Sequence, residues 1–320
     1  MKKIDIVIPT LNEQDNVRDI YEHVTCCMDQ YLTSYQYDII FIDNFSTDQT
    51  RNIIEQLCLR DSHVKAIFNA RNFGFSRSIF YGLTQTDGDA VFLVFADMQD
   101  PPELLPQFIK KWEEGHKVII GIKDKSKENK LMFLLRRVYY KLIQMIADTE
   151  QIENFNGFGL YDKSFIDVLK KLDDPNPYLK GIVAEFGFRR TEIHYEQQTR
   201  KKGKTNFNLM KLYDVAMMGI TCYTKAILRA ATFLGCMLSV VSFIIAVITV
   251  IRKLLDWNNF PVGSAAIAVG VFFLGSVQLF FLGIIGEYIM NINTRVLHRP
   301  LVIEEKRINF KQDDQKDESA

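Results

Sequence analysis

The sequence predicts a doubly wound α/β domain followed by an interfacial helix and a two-helix membrane hairpin. Two observations lead to this prediction. The first 120 residues alternate short apolar runs, rich in β-branched residues, with amphipathic stretches of helical length. Farther along, two runs without a charge cover 230–251 and 260–286, and each exceeds the roughly 20 apolar residues that span a bilayer.

The composition excludes several classes of protein. The 320 residues carry 39 basic and 39 acidic side chains, so a general affinity for nucleic acid has no support. The five cysteines are scattered without a C-x-x-C pair, which predicts neither a zinc site nor a disulfide framework. The first ten residues, MKKIDIVIPT, contain too short an apolar stretch for a signal peptide. The N-terminal part is therefore expected to stay in the cytoplasm.

Five short apolar runs predict the strands of the α/β domain. Predicted strands are 4–10, 37–43, 64–70, 90–96 and 117–122. Near-continuous apolar strands are buried on both faces, which indicates a largely parallel sheet covered by crossover helices. Predicted helices are 13–31, 48–59, 76–85 and 102–114.

Polar clusters follow four of these strands. They are PTLNE at 9–13, DNFSTDQT at 43–50, RNFG at 71–74 and DMQD at 97–100. Doubly wound sheets bind ligands at the carboxyl ends of their strands, so this edge is the predicted site. Ser46, Thr47 and Asp48 are expected to cap the second helix, which leaves Asp43 as the better ligand candidate there.

The fourth cluster offers oxygen ligands to a hard divalent cation. Asp97 and Gln99 are at i and i+2, which would place them on one side of an extended segment. The two prolines that follow restrict how the loop can relax. Asp100 is either a supporting group behind the ligands or a helix cap, and a solvated turn is the alternative for the whole segment.

The second half of the chain predicts membrane attachment. We expect an α/β domain at 1–205, an interfacial helix at 206–225, a hairpin at 226–290 with spans near 230–251 and 262–286, and a cytoplasmic tail at 291–320. Basic residues flank both outer ends of the hairpin, which predicts two spans with both termini and the α/β domain in the cytoplasm. These residues are Lys225, Arg229, Arg295, His298, Arg299, Lys306 and Arg307.

The basic run RKKGK at 200–204 has two interpretations. It is either a solvated run that attracts anionic headgroups or a phosphate site at the membrane face. Two nucleotide-binding motifs are absent: no G-x-G-x-x-G follows a strand, and GKT at 203–205 lacks the earlier glycine of a phosphate loop.

Taken in order, these segments resemble glycosyltransferase family 2, the inverting enzymes of the GT-A fold. Within it they are most similar to the membrane-anchored polyprenyl-phosphate glycosyltransferases, the dolichol-phosphate-mannose synthase and GtrB-like group. The resemblance runs from residue 4 to about residue 300, and D-x-Q-D-P-P-E is its most specific motif. The matching segments are VIPTLNE, IDNFSTD, RNFG, DMQDPPE, RKKGKTNF and MMGIT, with the two predicted spans.

The resemblance implies a function. It is the inverting transfer of a sugar from a nucleotide sugar to undecaprenyl or dolichyl phosphate at the cytoplasmic membrane face, in cell-surface polysaccharide biosynthesis. The implied cofactor is Mg²⁺ or Mn²⁺, a UDP-sugar is preferred over a GDP-sugar as donor, and a homo-oligomer is left open. The donor and the acceptor lipid are the implied partners.

The resemblance also implies roles for individual residues. The metal ligands would be Asp97 and Gln99, and the catalytic candidates Asp97, Asp100 and Arg200, the last facing the phosphates or the lipid acceptor. The base and ribose would be lined by Pro9, Leu11, Glu13 and Asp43. The other donor-binding candidates at the strand ends are Asn44, Arg71 and Asn72.

Several positions depart from the family pattern. Phe95 and Gly157 stand where acidic residues are usual. The other departures are Asn44, Gly159 and Asn206. They leave two alternatives open: a non-catalytic membrane-bound subunit that binds nucleotide sugars, and a transferase to another cell-surface polysaccharide acceptor. A transfer assay distinguishes them.

Overall fold

The computed structural model describes residues 1–125, 152–198, 264–297 and 299–310, and helical positions scattered between 233 and 255. The chain divides into two compact units. The first holds the N-terminal residues together with the C-terminal strand, and the second holds the long helix that begins at Ser264. The predicted interfacial helix at 206–225 and Arg200 lie outside the described residues.

The first unit is built on an eight-stranded sheet of order β7-β5-β6-β4-β1-β2-β3-β8. Its strands are β1 (Lys3–Thr10), β2 (Gln36–Asp43), β3 (Val64–Asn69), β4 (Ala90–Leu93), β5 (Val118–Lys125), β6 (Gly159–Asp162), β7 (Arg190–Glu196) and β8 (Glu304–Ile308). All five predicted strands are present. The mostly parallel α/β architecture is thereby confirmed.

The first unit holds six of the described helices, and the long helix that begins at Ser264 belongs to the second unit. They are α1 (Val17–Tyr31), α2 (Thr50–Arg60), α3 (Phe75–Thr84), α4 (Leu105–Glu113), α5 (Lys163–Lys170), α6 (Leu179–Glu185) and α7 (Ser264–Val296), with a 3₁₀ turn at Pro102–Leu104 before α4. Helix α1 starts four residues later than predicted. The reason is a loop in which Asn12, Glu13 and Gln14 donate backbone N–H groups to side chains of the loop after β2 and of the first residue of α2.

The centre of the sheet is parallel, and antiparallel pairings occur on either side of it. Strands β3, β2, β1 and β4 pair in parallel, as do β5 and β7. Strand β6 lies antiparallel between β4 and β5, and β8 pairs antiparallel with β3. The five predicted strands include neither β6 nor β7, and the cytoplasmic tail predicted at 291–320 covers Glu304–Ile308. This segment instead closes one edge of the sheet.

Aromatic side chains fill the core under β4 and β6. Phe92, Phe108 and Phe158 meet edge to face with ring centroids 5.1–5.4 Å apart, and Tyr195 packs on Phe158 at 5.3 Å. This cluster joins α4 to strands β4 and β7.

The amino-terminal edge of the sheet holds an acidic group. One carboxylate oxygen from each of Asp5, Asp38 and Asp87 lies within 4.8 Å of the others. Lys3 Nζ is 3.3 Å from Asp5 and 2.8 Å from Asp38 and also pairs with Asp87, while Lys65 Nζ is 2.7 Å from Asp38. Burial raises the pKa of Asp5, although Lys3 and two backbone N–H groups oppose this. Two ammonium groups therefore already offset most of the negative charge of these carboxylates.

Helix α7 is 33 residues long and includes most of the predicted second span. Within the residues that the structure describes, no helix combines the length and the hydropathy needed to cross a bilayer. The two-span hairpin stays a prediction.

Candidate functional site

The polar strand ends lie at one edge of the sheet, as predicted. Thr10 at the end of β1 pairs with Asp43 at the end of β2, which in turn pairs with Phe68 near the end of β3. Leu93 of β4 pairs with Val7 of β1, so the segment after β4 leaves from the same edge. Four loops that are distant in sequence therefore border one surface.

The loops after β1 and β2 are cross-linked. The Asn12 side chain accepts from Thr47 N at 2.8 Å, and Asn12 N donates to Ser46 Oγ at 2.8 Å. Asn12 has a φ of 57°, a left-handed conformation that asparagine tolerates. The predicted nucleotide contacts are half-buried, Pro9 near the end of β1 and Leu11 and Glu13 in this loop.

Asp43 is fully buried beneath the second loop. Its carboxylate accepts from Ser46 N at 3.0 Å, Thr10 Oγ1 at 3.3 Å and Arg51 Nε at 3.0 Å, and also from Ser46 Oγ. In this conformation, Asp43 supports the loop that borders the predicted ribose site.

Asn44 connects the second and third loops. Its amide donates to Asn72 Oδ1 at 3.0 Å, and its oxygen accepts from Asn69 Nδ2 at 3.1 Å and Phe73 N at 3.0 Å. Asn72 in turn accepts from Gly74 N at 2.9 Å. An aspartate at position 44 would lack the amide donor. The asparagine that departs from the family pattern is therefore the residue that this loop, held by bonds between asparagine side chains, requires.

Two arginines lie on the third loop and the start of α3. Arg71 covers the Phe73 ring at 4.4 Å, and Arg77 donates to Asn176 Oδ1 at 2.9 Å. Burial, with the nearby charge of Arg71, lowers the pKa of Arg77. Two neighbouring cations favour an anion such as a diphosphate. The prediction named Arg71 and missed Arg77, although the second arginine of RNFGFSR was a signal for it.

Asp97 and Gln99 lie on a tight turn. Gln99 N donates to Asp97 Oδ1 at 3.2 Å, and Met98 between them has a φ of 56°. The expectation of an extended segment is wrong, because the side-chain bond and the left-handed residue curl the chain. Gln99 Oε1 accepts from Gln197 Nε2 at 3.1 Å, which holds the amide in place.

The donor set of this turn fits a hard divalent cation. Asp97 is half-buried and supplies a carboxylate, and Gln99 supplies an amide oxygen with a second lone pair. The acidic group at Asp5 lies at the opposite edge with its lysines, away from the polar strand ends. The turn is therefore the better metal candidate of the two.

Asp100 is 1% exposed and supports the turn from behind. Its carboxylate accepts from Asn156 Nδ2 at 2.6 Å and from the Tyr195 hydroxyl, and Lys123 Nζ is 3.5 Å away. Burial raises the pKa of Tyr195, and the charge of Asp100 adds to the shift. The 3₁₀ turn after Asp100 has no side-chain cap, so the helix-cap alternative is wrong.

The two departures at Phe95 and Gly157 are neighbours in space. A Cβ added to Gly157 would lie 3.7 Å from Phe95 Cζ and 3.4 Å from Leu93 Cδ2, and Gly157 has a φ of +111°. Phe95 is 8% exposed and stacks on Phe75 with ring centroids 5.6 Å apart. An apolar contact thus replaces the pair of acidic residues usual in the family.

Phe95→Asp should not restore the family arrangement. The carboxylate would be buried beside Gly157 and the Phe75 ring, and loss of the aromatic ring alone costs about 3–5 kcal/mol. We expect a large fall in the melting temperature, measured by intrinsic fluorescence in detergent. Phe75→Ala, which truncates the half-exposed partner, should cost about 1 kcal/mol. Equal melting temperatures for Phe95→Asp and wild type would contradict the packing argument.

The partners of Asp100 were missed by sequence reasoning. They are Lys123, Asn156 and Tyr195, which come from three segments without a shared motif. Only the tertiary fold brings them together.

A mostly parallel sheet with a carboxylate and an amide at its carboxyl edge is the α/β architecture that the sequence resemblance implies. Residues 5–170 match glycosyl transferase family 2. The chain is 33% identical over 303 residues to the bactoprenol glucosyl transferase of Shigella phage SfV, covering 94% of this chain and 97% of that protein. It is 32% identical over 302 residues to the glycosyltransferase YkcC of Bacillus subtilis (strain 168), covering 94% and 93%.

Among solved structures, the fold is similar to glucosyl-3-phosphoglycerate synthase from Mycobacterium tuberculosis in complex with Mn²⁺, uridine diphosphate and phosphoglyceric acid. The TM-score is 0.46 at 15% identity, over 69% of this chain and 76% of that chain. On the family match and the identity to its relatives, this chain belongs to glycosyltransferase family 2.

Proposed function

We propose that this protein transfers a sugar from a nucleotide sugar to a polyprenyl phosphate at the cytoplasmic face of a membrane. The observation that carries the proposal is similarity along almost the whole chain to a protein named bactoprenol glucosyl transferase, 94% of this chain and 97% of the relative. Both the domain with the strand-end site and the apolar second half are thus shared with a relative whose name gives a lipid acceptor.

Attachment to a membrane is supported by the surface of α7. Large apolar side chains along this helix are exposed, among them Val271 at 64%, Leu279 at 69% and Leu282 at 60%. Exposed apolar surface of this extent favours contact with lipid over contact with water.

The topology supports an even number of membrane crossings. Strands β7 and β8 belong to one sheet, so the chain leaves this unit after β7 and returns to it at Glu304. A segment that starts and finishes on the same side crosses an even number of times, which agrees with the predicted two spans. The basic flanks favour the cytoplasm for that side.

The donor would bind at the carboxyl edge of β1 to β4. Asp97 and Gln99 would hold Mg²⁺ or Mn²⁺, which when bound neutralises charge that develops on a leaving diphosphate. Arg71 and Arg77 offer further positive charge to the phosphates, and the Asp43-supported loop borders the base and ribose. Asp100 would act by supporting the turn rather than by touching the sugar.

The acceptor would need little activation. A lipid phosphate is already an anionic nucleophile at neutral pH, so a strong general base is dispensable, and Gly157 in place of an acid is compatible with activity. Attack on the face opposite the nucleotide would invert the anomeric centre. Arg200 stays the candidate for contact with a phosphate, by its place in the RKKGK run.

The test is transfer by the full-length protein, purified in detergent. UDP-glucose, UDP-N-acetylglucosamine and GDP-mannose, each radiolabelled, are incubated with undecaprenyl phosphate and MgCl₂ or MnCl₂. We expect label in the lipid phase from one donor, with UDP-glucose tested first because relatives are named glucosyl transferases. Asp97→Ala serves as the inactive control.

The other outcomes distinguish the alternatives. Nucleotide binding without transfer or donor hydrolysis would indicate the non-catalytic subunit, for which Phe95 and Gly157 are the motivation. Transfer that needs a polysaccharide fragment instead of the lipid phosphate would indicate the other acceptor class. A product with retained anomeric configuration would contradict the single-displacement mechanism.

A further inference from the structure

Arg51 on α2 ties together the ends of three strands. Its Nε donates to the buried Asp43 at the end of β2 at 3.0 Å. Its Nη2 donates to the backbone oxygen of Asn69 at the end of β3 at 3.0 Å, and to Glu305 Oε2 on β8 at 2.8 Å. One planar guanidinium can serve these acceptors together because its donors have fixed directions.

The position of this guanidinium matters because Asp43 is completely buried. Burial opposes the charge on Arg51, but the hydrogen bonds that Arg51 donates to Glu305 and Asp43 outweigh it and raise the pKa of Arg51. The guanidinium also lies over the rings of Phe45 and Phe68, at 5.6 and 5.3 Å. Phe45 belongs to the loop after β2, so Arg51 contacts both this loop and Asp43, the strand residue just before it.

Glu305 is aimed at Arg51 by a β-bulge. Phe68 pairs with Lys306 and Asn69 pairs with Glu304, so Glu305 is the extra residue on β8. Bulges redirect side chains and are frequent beside functional sites. The pairing resumes beyond the bulge, where Ala70 N donates to the Ile303 backbone oxygen at 2.9 Å.

We propose that Glu305 is a positioning residue for donor binding: it orients Arg51, which holds Asp43 and the loop between β2 and α2. This inference rests on the proposed function, in which that loop borders the nucleotide. Glu305 itself contacts Arg51 rather than the donor. The C-terminal strand therefore contributes to affinity for the nucleotide through a single ion pair.

A neighbouring residue provides the matched control. Lys306 on the same strand pairs with Glu55 on α2, with Nζ 2.9 Å from Oε1, in an exposed ion pair. Glu305→Gln and Lys306→Gln each remove one charge from β8 and one ion pair to α2. Only the ion pair between Glu305 and Arg51 is connected to Asp43, because Arg51 also bonds to that carboxylate.

The experiment measures binding of UDP and of GDP to the full-length protein with MnCl₂ by calorimetry, and KM and kcat for the donor. We expect Glu305→Gln to raise Kd and KM about threefold with little change in kcat, because the pair is partly exposed. Lys306→Gln should match wild type. Added to Arg51→Lys, Glu305→Gln should have little further effect, since both changes break the same link.

The contrary results are separable. Equal binding by Glu305→Gln and Lys306→Gln would overturn the role of Glu305. Weaker nucleotide binding by both variants, accompanied by a lower melting temperature, would also overturn it. Additive effects with Arg51→Lys would also overturn it. Wild-type protein that binds neither nucleotide would overturn the proposed function, and this inference with it.

Discussion

Asp97→Ala should reduce sugar transfer at least about a hundredfold while the protein stays folded. Loss of a metal ligand removes several kcal/mol of stabilisation from the leaving diphosphate, and each 1.4 kcal/mol is about tenfold in rate. Asp97 is only half-buried on its turn, so its removal should cost little stability. Transfer is measured in saturating MnCl₂, and binding of Mn²⁺ is followed by electron paramagnetic resonance.

Glu103→Gln is the matched control, because it removes a carboxylate from the same D-x-Q-D-P-P-E motif. Glu103 is exposed and lies 2.6 Å from His23 Nδ1 on α1, away from the turn. We expect it to transfer sugar as wild type does. Asp97→Ala with more than about a tenth of wild-type activity would remove Asp97 from the metal site.

Asp100→Ala should destabilise the first unit by about 3–5 kcal/mol, because it leaves buried donors without their acceptor. The Tyr195 hydroxyl, the Asn156 amide and Lys123 all point at this carboxylate. The melting temperature in detergent should fall by roughly 10 °C. Asp100→Asn keeps one acceptor oxygen and should lose less.

Asp124→Ala provides the comparison for this second prediction. Asp124 follows Lys123 on β5 but is exposed, and it pairs with His194 at 2.7 Å. Its loss should change stability by less than about 1 kcal/mol. If Asp100→Ala melted like wild type and still lost activity, the carboxylate would act in the chemistry instead of in support of the turn.

The strand-end site could be predicted from sequence because both of its causes are local. Apolar runs of five to seven residues mark buried parallel strands, and polar residues directly after them must meet at one edge. The positions of Asp43, Asn44, Arg71 and Asp97 followed from that alone. Boundaries were less accurate where side chains bond to loop backbone, as at α1.

Contacts between distant segments could not be predicted in this way. Strand β6 is only Gly159–Asp162, too short for an alternating pattern, and β8 carries four charged residues in five positions. Charged edge strands are common because charge discourages pairing between molecules, yet in a sequence they resemble a solvated tail. The contact between Phe95 and Gly157 likewise joins residues 62 positions apart, and appears only when β4 and β6 are side by side.

The position of β8 has a consequence for biosynthesis. Even after β7 has been synthesised, strand β3 keeps an unpaired edge while roughly a hundred further residues leave the ribosome, about 5–20 s at ordinary rates of translation. During that interval the nascent domain exposes a row of backbone groups to which other chains can bind. If the predicted spans insert as they emerge, the membrane receives its segments before the sheet is complete. With the role proposed for Glu305, tight binding of the donor would be completed only after the chain has been inserted.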